Sequence, residues 1–206
     1  MKLLAVSDQV EDRVYSLAAD GHFADVDLIV GCGDLPYVYL EYLLTVLNKP
    51  LCYVPGNHDP AYVPNSPKTK VEGGINLDRR LLFINGFLVG GLGGSIRYRP
   101  DGVNQYSQSQ AKIGAWTMLP GLVMNRVLYG RALDILVSHS PPYGIHDEDS
   151  QAHRGLHALN WLLRVARPRY HFHGHTFFPR QNLSDPDSQI GPTHIYNVFP
   201  YKVINI

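Results

Sequence analysis

The opening quarter of the chain constrains the fold more than any other stretch. Residues 2–6, 28–30 and 51–54 are apolar runs of strand length; between them Val14, Leu17 and Ala18, then Leu40, Leu43, Leu44 and Leu47, recur at helical spacing. Gly21 punctuates the first helix after Asp20, and Pro36 falls in the first turn of the second, residues 35–47, where a helix tolerates it. Strand, helix, strand, helix, strand in so short a span requires right-handed crossovers, and therefore a parallel sheet. Each of these strands runs into polar residues: Ser7-Asp8, Gly33-Asp34 and Gly56-Asn57-His58-Asp59. The C-terminal edges of parallel strands lie together, so side chains distant in sequence converge on one crevice.

The third of these groups carries the most chemistry. Asn57 offers a hard neutral oxygen, His58 a nitrogen able to coordinate or to donate a proton, and Asp59 a carboxylate able to orient that imidazole. Alone, the four residues fit a metal site or an Asx-type turn equally. Downstream, residues 60–74 read as loop, with Pro64, Pro67 and the basic Lys68-Thr69-Lys70. Residues 81–84 and 87–90 read as strands turned through Asn85-Gly86, a two-residue hairpin signal. The glycine-rich residues 90–95 match neither dinucleotide nor P-loop spacing and imply close backbone approach. Arg97, Tyr98 and Arg99 follow in a loop; Arg97 is a candidate substrate-binding residue whose guanidinium suits phosphate oxygens, set against the blander reading of a solvated arginine. Residues 107–119 and 122–129 read as helices interrupted by Pro120-Gly121. The strand at residues 132–137 ends in Ser138-His139, and the strand at residues 170–173 ends in Gly174-His175. Between them lie the acidic Asp147-Glu148-Asp149, His153-Arg154-Gly155 and a helix at residues 156–165; residues 194–199 and 202–206 close the chain as antiparallel strands.

A length of 206 residues, read as one domain over 1–206, with 45% hydrophobic and 17% charged residues, describes an ordinary soluble globule. Lys plus Arg and Asp plus Glu balance at 18 each, so bulk charge supplies no reason to expect nucleic acid or an anionic membrane as partner. No apolar run is long enough to span a membrane, and the first one meets Ser7-Asp8 too early for a signal peptide, so a cytoplasmic location is expected. Cys32 and Cys52 sit inside apolar runs as buried thiols rather than as a disulfide or metal ligands.

The groups Ser7-Asp8, Gly33-Asp34, Gly56-Asn57-His58-Asp59, Ser138-His139 and Gly174-His175, in this order over nearly the whole chain, resemble the calcineurin-like metallophosphoesterase superfamily. The resemblance implies an α/β fold of four layers (αββα), two mixed sheets flanked by helices, with a two-metal site at the strand ends. Carried over by position, Asp34 resembles the carboxylate that bridges the metals, and Asn57, His139 and His175 the remaining ligands of the second metal. His58 resembles the imidazole that protonates the leaving group, with Asp59 orienting its ring, and Asp8 a ligand of the first metal, free to act on water if that metal is lost. Two positions depart from the pattern: Asp8-Gln9 is followed by Val10, and His175-Thr176 by Phe177, where the family has histidines, both serving the first metal. The resemblance therefore implies one firm divalent ion (Mn, Zn or Fe), a second that is weak or absent, and a small phosphorylated substrate. Glu11 and His173 stand near enough in sequence to substitute, though Glu11 is better read as a helix start and His173 as a packed neighbour of the site. An alternative reading is a binding or scaffold protein that keeps the fold and has lost turnover.

Overall fold

A computed structural model describes residues 1–63, 66, 69–177 and 187–206. Pro64, Pro67 and Lys68 of the expected loop lie outside the described residues. The chain begins β1 (Lys2–Val6), α1 (Asp12–Ala19), β2 (Leu28–Gly31), α2 (Tyr37–Leu47), β3 (Leu51–Tyr53) and β4 (Ile75–Asn76). A hairpin of β5 (Leu81–Ile84) and β6 (Phe87–Leu92) follows, then the short pair β7 (Ser95–Ile96) and β8 (Gln105–Tyr106). Next come α3 (Gln108–Thr117), α4 (Leu119–Tyr129), β9 (Ile135–Ser138), α5 (His157–Ala166) and β10 (Tyr170–His173), and the chain closes with β11 (Ser188–Ile190), β12 (Thr193–Asn197) and β13 (Tyr201–Asn205).

Two mixed sheets result. One has the order β13-β1-β2-β3-β4, the other β11-β12-β10-β9-β6-β5. The strand alternation of β1 explains their stacking: Leu3 and Ala5 point to the second sheet, while Leu4 and Val6 point to the helices. Facing Leu3 and Ala5 across the interior are Val89, Ile135, Val137 and Phe172 of the second sheet, which form the central core. On the outer face of the first sheet, Val14 and Ala18 of α1 and Leu40, Leu43 and Leu47 of α2 cover Leu4, Val6 and Ile29. On the outer face of the second, Ala111 and Ala115 of α3 and Leu159 and Leu162 of α5 cover Leu136 and Ile195. Helix, sheet, sheet, helix is thus the layer order, as the resemblance implies. Strands buried on both faces explain why the first three read as unbroken apolar runs. Cys32 and Cys52 are buried free thiols. No helix among the described residues is long and apolar enough to cross a membrane.

Three local expectations need correction. Pro36 is not inside the first turn of α2 but caps it in an extended conformation (φ −53°, ψ 128°), and the helix starts at Tyr37. Pro120-Gly121 does not interrupt the helical region; the break falls at Met118, and α4 carries Pro120 in its first turn, where the missing N–H has no partner to lose. The two terminal strands do not pair with each other: β12 runs parallel to β10, whereas β13 runs antiparallel to β1 in the other sheet. The link between them therefore crosses from one sheet to the other, and Ser7 N–H donates to Pro200 O at 3.0 Å where it passes.

Candidate metal centre

The parallel strands β1, β2 and β3 end side by side, and so do β9 and β10 of the facing sheet. The backbone turns sharply at each end. Asp8 (φ 63°), Asp34 (φ 56°) and His175 (φ 68°) all occupy the left-handed region that side chains other than glycine rarely adopt. Such geometry persists only where the surroundings enforce it. Here Asp8 N–H donates to Gly33 O at 3.1 Å and Gly174 N–H to His139 O at 3.0 Å, so each turn is tied to the next. Glycine is required at the points of closest approach: a Cβ on Gly33 would lie 2.7 Å from both Gly56 N and His139 Nδ1, and one on Gly174 would overlap Ser7 Oγ and Asp8 Oδ2.

Asp34, His139 and His175 each offer one ligand atom, all within 4.8 Å of one another. Asn57 Oδ1 lies 3.0 Å from His139 Nε2, which completes a set of four donors from four strand ends. The histidine tautomers follow from their other contacts. His139 Nδ1 is 2.8 Å from Cys32 O, and His175 Nε2 is 2.8 Å from Ala152 O. A carbonyl only accepts, so each of those ring nitrogens is the N–H donor; in the neutral rings His139 Nε2 and His175 Nδ1 are then the lone-pair atoms left for a ligand. The donors are two oxygens and two imidazole nitrogens, a set suited to Mn, Zn or Fe. The residues present therefore fit a divalent ion.

Electrostatics lead to the same place. Burial alone would drive the His139 imidazole toward neutrality, but the Asp34 carboxylate 3.3 Å away, with Asp8 and the Cys32 carbonyl, outweighs it and raises the ring to about 9. Burial acts against the Asp34 charge as well, yet His139 holds that carboxyl below its usual range. Burial, reinforced by His139, pushes His175 down to about 3, so its ring stays neutral. With protons alone, a positive charge already sits on Nε2 between Asp34 and Asn57, in the place a cation would take. Asp8 is raised by burial, although His139, Ser7 and the His175 amide pull the other way; its Oδ2 accepts from Ser7 Oγ at 2.5 Å and from His175 N–H at 2.9 Å.

Asp59 stands where the sequence reading did not expect it. Its Oδ2 accepts from Gly56 N–H at 2.7 Å and Asp34 N–H at 3.0 Å, and no hydrogen bond to the His58 ring occurs among the described residues. Burial raises it to about 6. The side chain is thus a clamp on the backbone that carries Asp34. His58 extends over the rim, 68% exposed, with Nε2 3.9 Å from Asp34 Oδ2, while its N–H donates to Asp34 Oδ1 at 2.8 Å. A cleft of about 410 Å³ opens over these groups, lined by Asp8, Asp34, Asn57, His58, His175 and Tyr98 among others. Arg97 is not brought to this cleft. Its guanidinium donates to Gln105 O at 3.2 Å and Gln110 Oε1 at 3.0 Å and lines a neighbouring groove on the other side of Tyr98.

A family model, the calcineurin-like phosphoesterase, matches residues 1–178. The chain belongs to the calcineurin-like phosphoesterase family. Two solved structures share this family member's fold: TT1561 of Thermus thermophilus, 18% identical, with a TM-score of 0.57 over 84% of this chain and 80% of that one; and a second, 16% identical, with a TM-score of 0.64 over 96% of this chain and 90% of that one. No curated protein sequence gives a significant match.

In this family member, the two positions where the resemblance expects first-metal histidines lie apart. Val10 is partly buried against the core beneath α1 and α2. Phe177 is 67% exposed, lines the cleft, and meets Phe199 edge-on at 4.7 Å. Neither neighbour proposed as a substitute enters the group of ligand atoms. Glu11 occupies the position before the first residue of α1, with no side-chain capping hydrogen bond, and His173 is buried with its Nε2 2.9 Å from His146 Nδ1. Sequence reasoning missed Tyr98, whose hydroxyl accepts from Asn57 Nδ2 at 3.2 Å, and His153, whose ring lies 5.3 Å from that of His175. It also missed Asn104, whose Nδ2 donates to Gly56 O at 3.0 Å and Asp59 O at 3.1 Å and so binds the whole Asn57 loop. The only signal for Tyr98 and His153 was a position in polar loops rich in Arg and His.

Proposed function

We propose that this protein hydrolyses phosphomonoesters or phosphodiesters of small molecules with one firmly held divalent ion. The ion, of Mn, Zn or Fe class, is held by Asp34, Asn57, His139 and His175; a second ion beside Asp8 is loosely held or absent. One observation carries the reading: four donor side chains converge at the strand ends beneath an exposed His58. When bound, such an ion neutralises phosphoryl charge and makes water acidic enough to attack near neutral pH. The residues supply the rest. Water adds to phosphorus as the ester P–O bond breaks, and His58, at the open side of the cleft, gives its proton to the departing oxygen. Asp8, which also lines the cleft and is free of a histidine-completed metal site, orients the attacking water or accepts its proton. Asn57 keeps its oxygen directed inward because its amide N–H donates to Tyr98.

The test is hydrolysis of p-nitrophenyl and nucleotide phosphoesters by the purified protein with saturating Mn, Zn or Fe, against His58→Ala. Turnover above that variant supports the reading, and its absence across all three metals refutes it. A second reading, a binding or scaffold protein of this family without turnover, is favoured by one observation: Val10 and Phe177 are apolar at both positions where the family pattern has first-metal histidines. Absence of bound metal from the purified protein would favour it, and two tightly held ions per chain would argue strongly for turnover.

A further inference from the structure

Beside the metal cleft lies a groove of about 640 Å³ into which three arginines project, Arg97, Arg99 and Arg154. Arg79 and Arg131 of the same protein hold Asp78 and Asp134 at 2.8 and 2.7 Å. By contrast, none of the three groove arginines has a carboxylate partner among the described residues; Arg97 bonds only neutral oxygens, and Arg99 lies over the Tyr98 ring at 5.4 Å. Guanidinium groups that line one groove without a carboxylate leave their charge and donors to an anion that enters it. Gln108, the first residue of α3, also lines the groove, so the positive end of a helix of 10 residues adds to the field. In a chain whose formal charge sums to +0, this concentration is local.

The groove is built rather than incidental. Gln105, 4% exposed, accepts from Tyr98 N–H at 3.2 Å and Arg99 N–H at 3.1 Å through one side-chain oxygen, which sets the arginine loop. Opposite it, Gln108 Nε2 donates to Gly155 O at 2.9 Å and holds the segment that carries Arg154. That same segment serves the metal centre: Ala152 O accepts from His175 Nε2, and Ala152 and His153 line the metal cleft while Gln151 and Arg154 line the groove. Tyr98 lines both. A molecule with one end in the cleft therefore has this groove as one adjoining surface.

We infer that the groove binds a second anionic group, phosphate or carboxylate, of the substrate whose phosphoester lies in the metal cleft. Preferred substrates are small molecules carrying two anionic groups; the assignment of the cleft end rests on the phosphoesterase reading above. Arg99 and Arg154 supply the binding charge, and Arg97, tied to Gln105 and Gln110, forms the fixed wall.

The test compares fructose bisphosphate with fructose monophosphate on the metal-loaded full chain, in the wild type and in Arg99→Glu with Arg154→Glu. The ratio of kcat/KM, bisphosphate over monophosphate, is expected to be roughly tenfold or more in the wild type and to fall toward unity in the double variant. A ratio near unity in the wild type, or one unchanged in the variant, overturns the inference. If no phosphoester is cleaved, the phosphoesterase reading fails while the groove is still decided by calorimetric titration of the same two ligands: tighter bisphosphate binding that disappears in the variant supports it, and equal binding overturns it. A free anion in place of the substrate's second group would appear as a sulfate effect on p-nitrophenyl phosphate hydrolysis with no bisphosphate preference, which also overturns it. Should the double variant fold poorly by circular dichroism, Arg99→Gln and Arg154→Gln singly carry the same comparison.

Discussion

Gly56→Ala is the sharpest perturbation of the metal centre, because it alters no ligand. A Cβ at this position would overlap Asp34 Oδ1 and lie 2.6 Å from both Asp34 Cγ and Asp34 N. Unstrained contacts of this kind are about 3.5 Å, so the Asp34 carboxylate and its backbone must retreat by about 1 Å. The retreat is resisted, since Asp59 clamps the amides of Gly56 and Asp34 together and His58 N–H holds Oδ1. Part of the strain therefore appears as lost stability, about 1–3 kcal/mol. The rest displaces a ligand whose distance to a metal tolerates only about 0.2 Å. Affinity for Mn, measured by calorimetry, is expected to fall roughly 10- to 100-fold, while circular dichroism remains native. Gly114→Ala is the matched control: it lies in α3, its Cβ would come closest to the flexible Arg79 side chain, at 3.1 Å, with Leu92 Cδ1 at an ordinary contact distance of 3.7 Å, and metal affinity should not change. A folded Gly56→Ala protein that binds Mn as tightly as the wild type would refute the packing argument.

Three further outcomes follow from the same geometry. His58→Ala should lower kcat by about 10²- to 10⁴-fold while calorimetric metal affinity stays near that of the wild type, because the ring is 68% exposed and outside the four-donor set. Phe177→His should raise the metal content at saturating Mn, read by elemental analysis, above one ion per chain, since Phe177 and Asp8 line the same cleft. In the metal-free protein, burial holds His171 and His175 at about 3, below the roughly 6.5 of an unfolded imidazole. Depressed imidazoles contribute stability in full above pH ~6.5 and lose it as pH falls toward 3. Asp59, raised to about 6, has the opposite sign: its contribution is full below the unfolded carboxylate value of about 3.9 and is lost as pH rises through 6. By about pH 5 the two histidines lose roughly 2 kcal/mol each, more than Asp59 and the raised His139 return, so urea denaturation should show a net loss of stability relative to pH 7. Equal stability at both values would contradict the burial of those rings in neutral form.

How far the chain could be read without coordinates depended on where each signal resides. β1, α1, β2, α2 and β3 were legible because burial on both faces makes the strands continuously apolar and the helices carry their own periodicity. β4, β7 and β8 have two residues each and exist only through pairing with a partner strand, which local sequence does not encode. The terminal strands were legible as antiparallel strands, but their partners were not: β12 pairs with β11 and β10, β13 with β1, and the link of Val198, Phe199 and Pro200 spans two sheets. Asp34, Asn57, His139 and His175 were legible as a group through family resemblance, and the structure brings them together. Asp59 misled because neighbours at a turn point in different directions: its carboxylate faces the amides of Gly56 and Asp34 instead of the adjacent ring. Contacts such as Ala152 O to His175 Nε2 involve a backbone carbonyl, for which residue type carries no information.

The central claim is that Asp34, Asn57, His139 and His175 share one cation. Anomalous diffraction from crystals of the Mn-loaded protein tests it directly. The account predicts a strong peak bounded by Asp34, Asn57 Oδ1, His139 Nε2 and His175 Nδ1. A peak elsewhere, or none at saturating Mn, would contradict it.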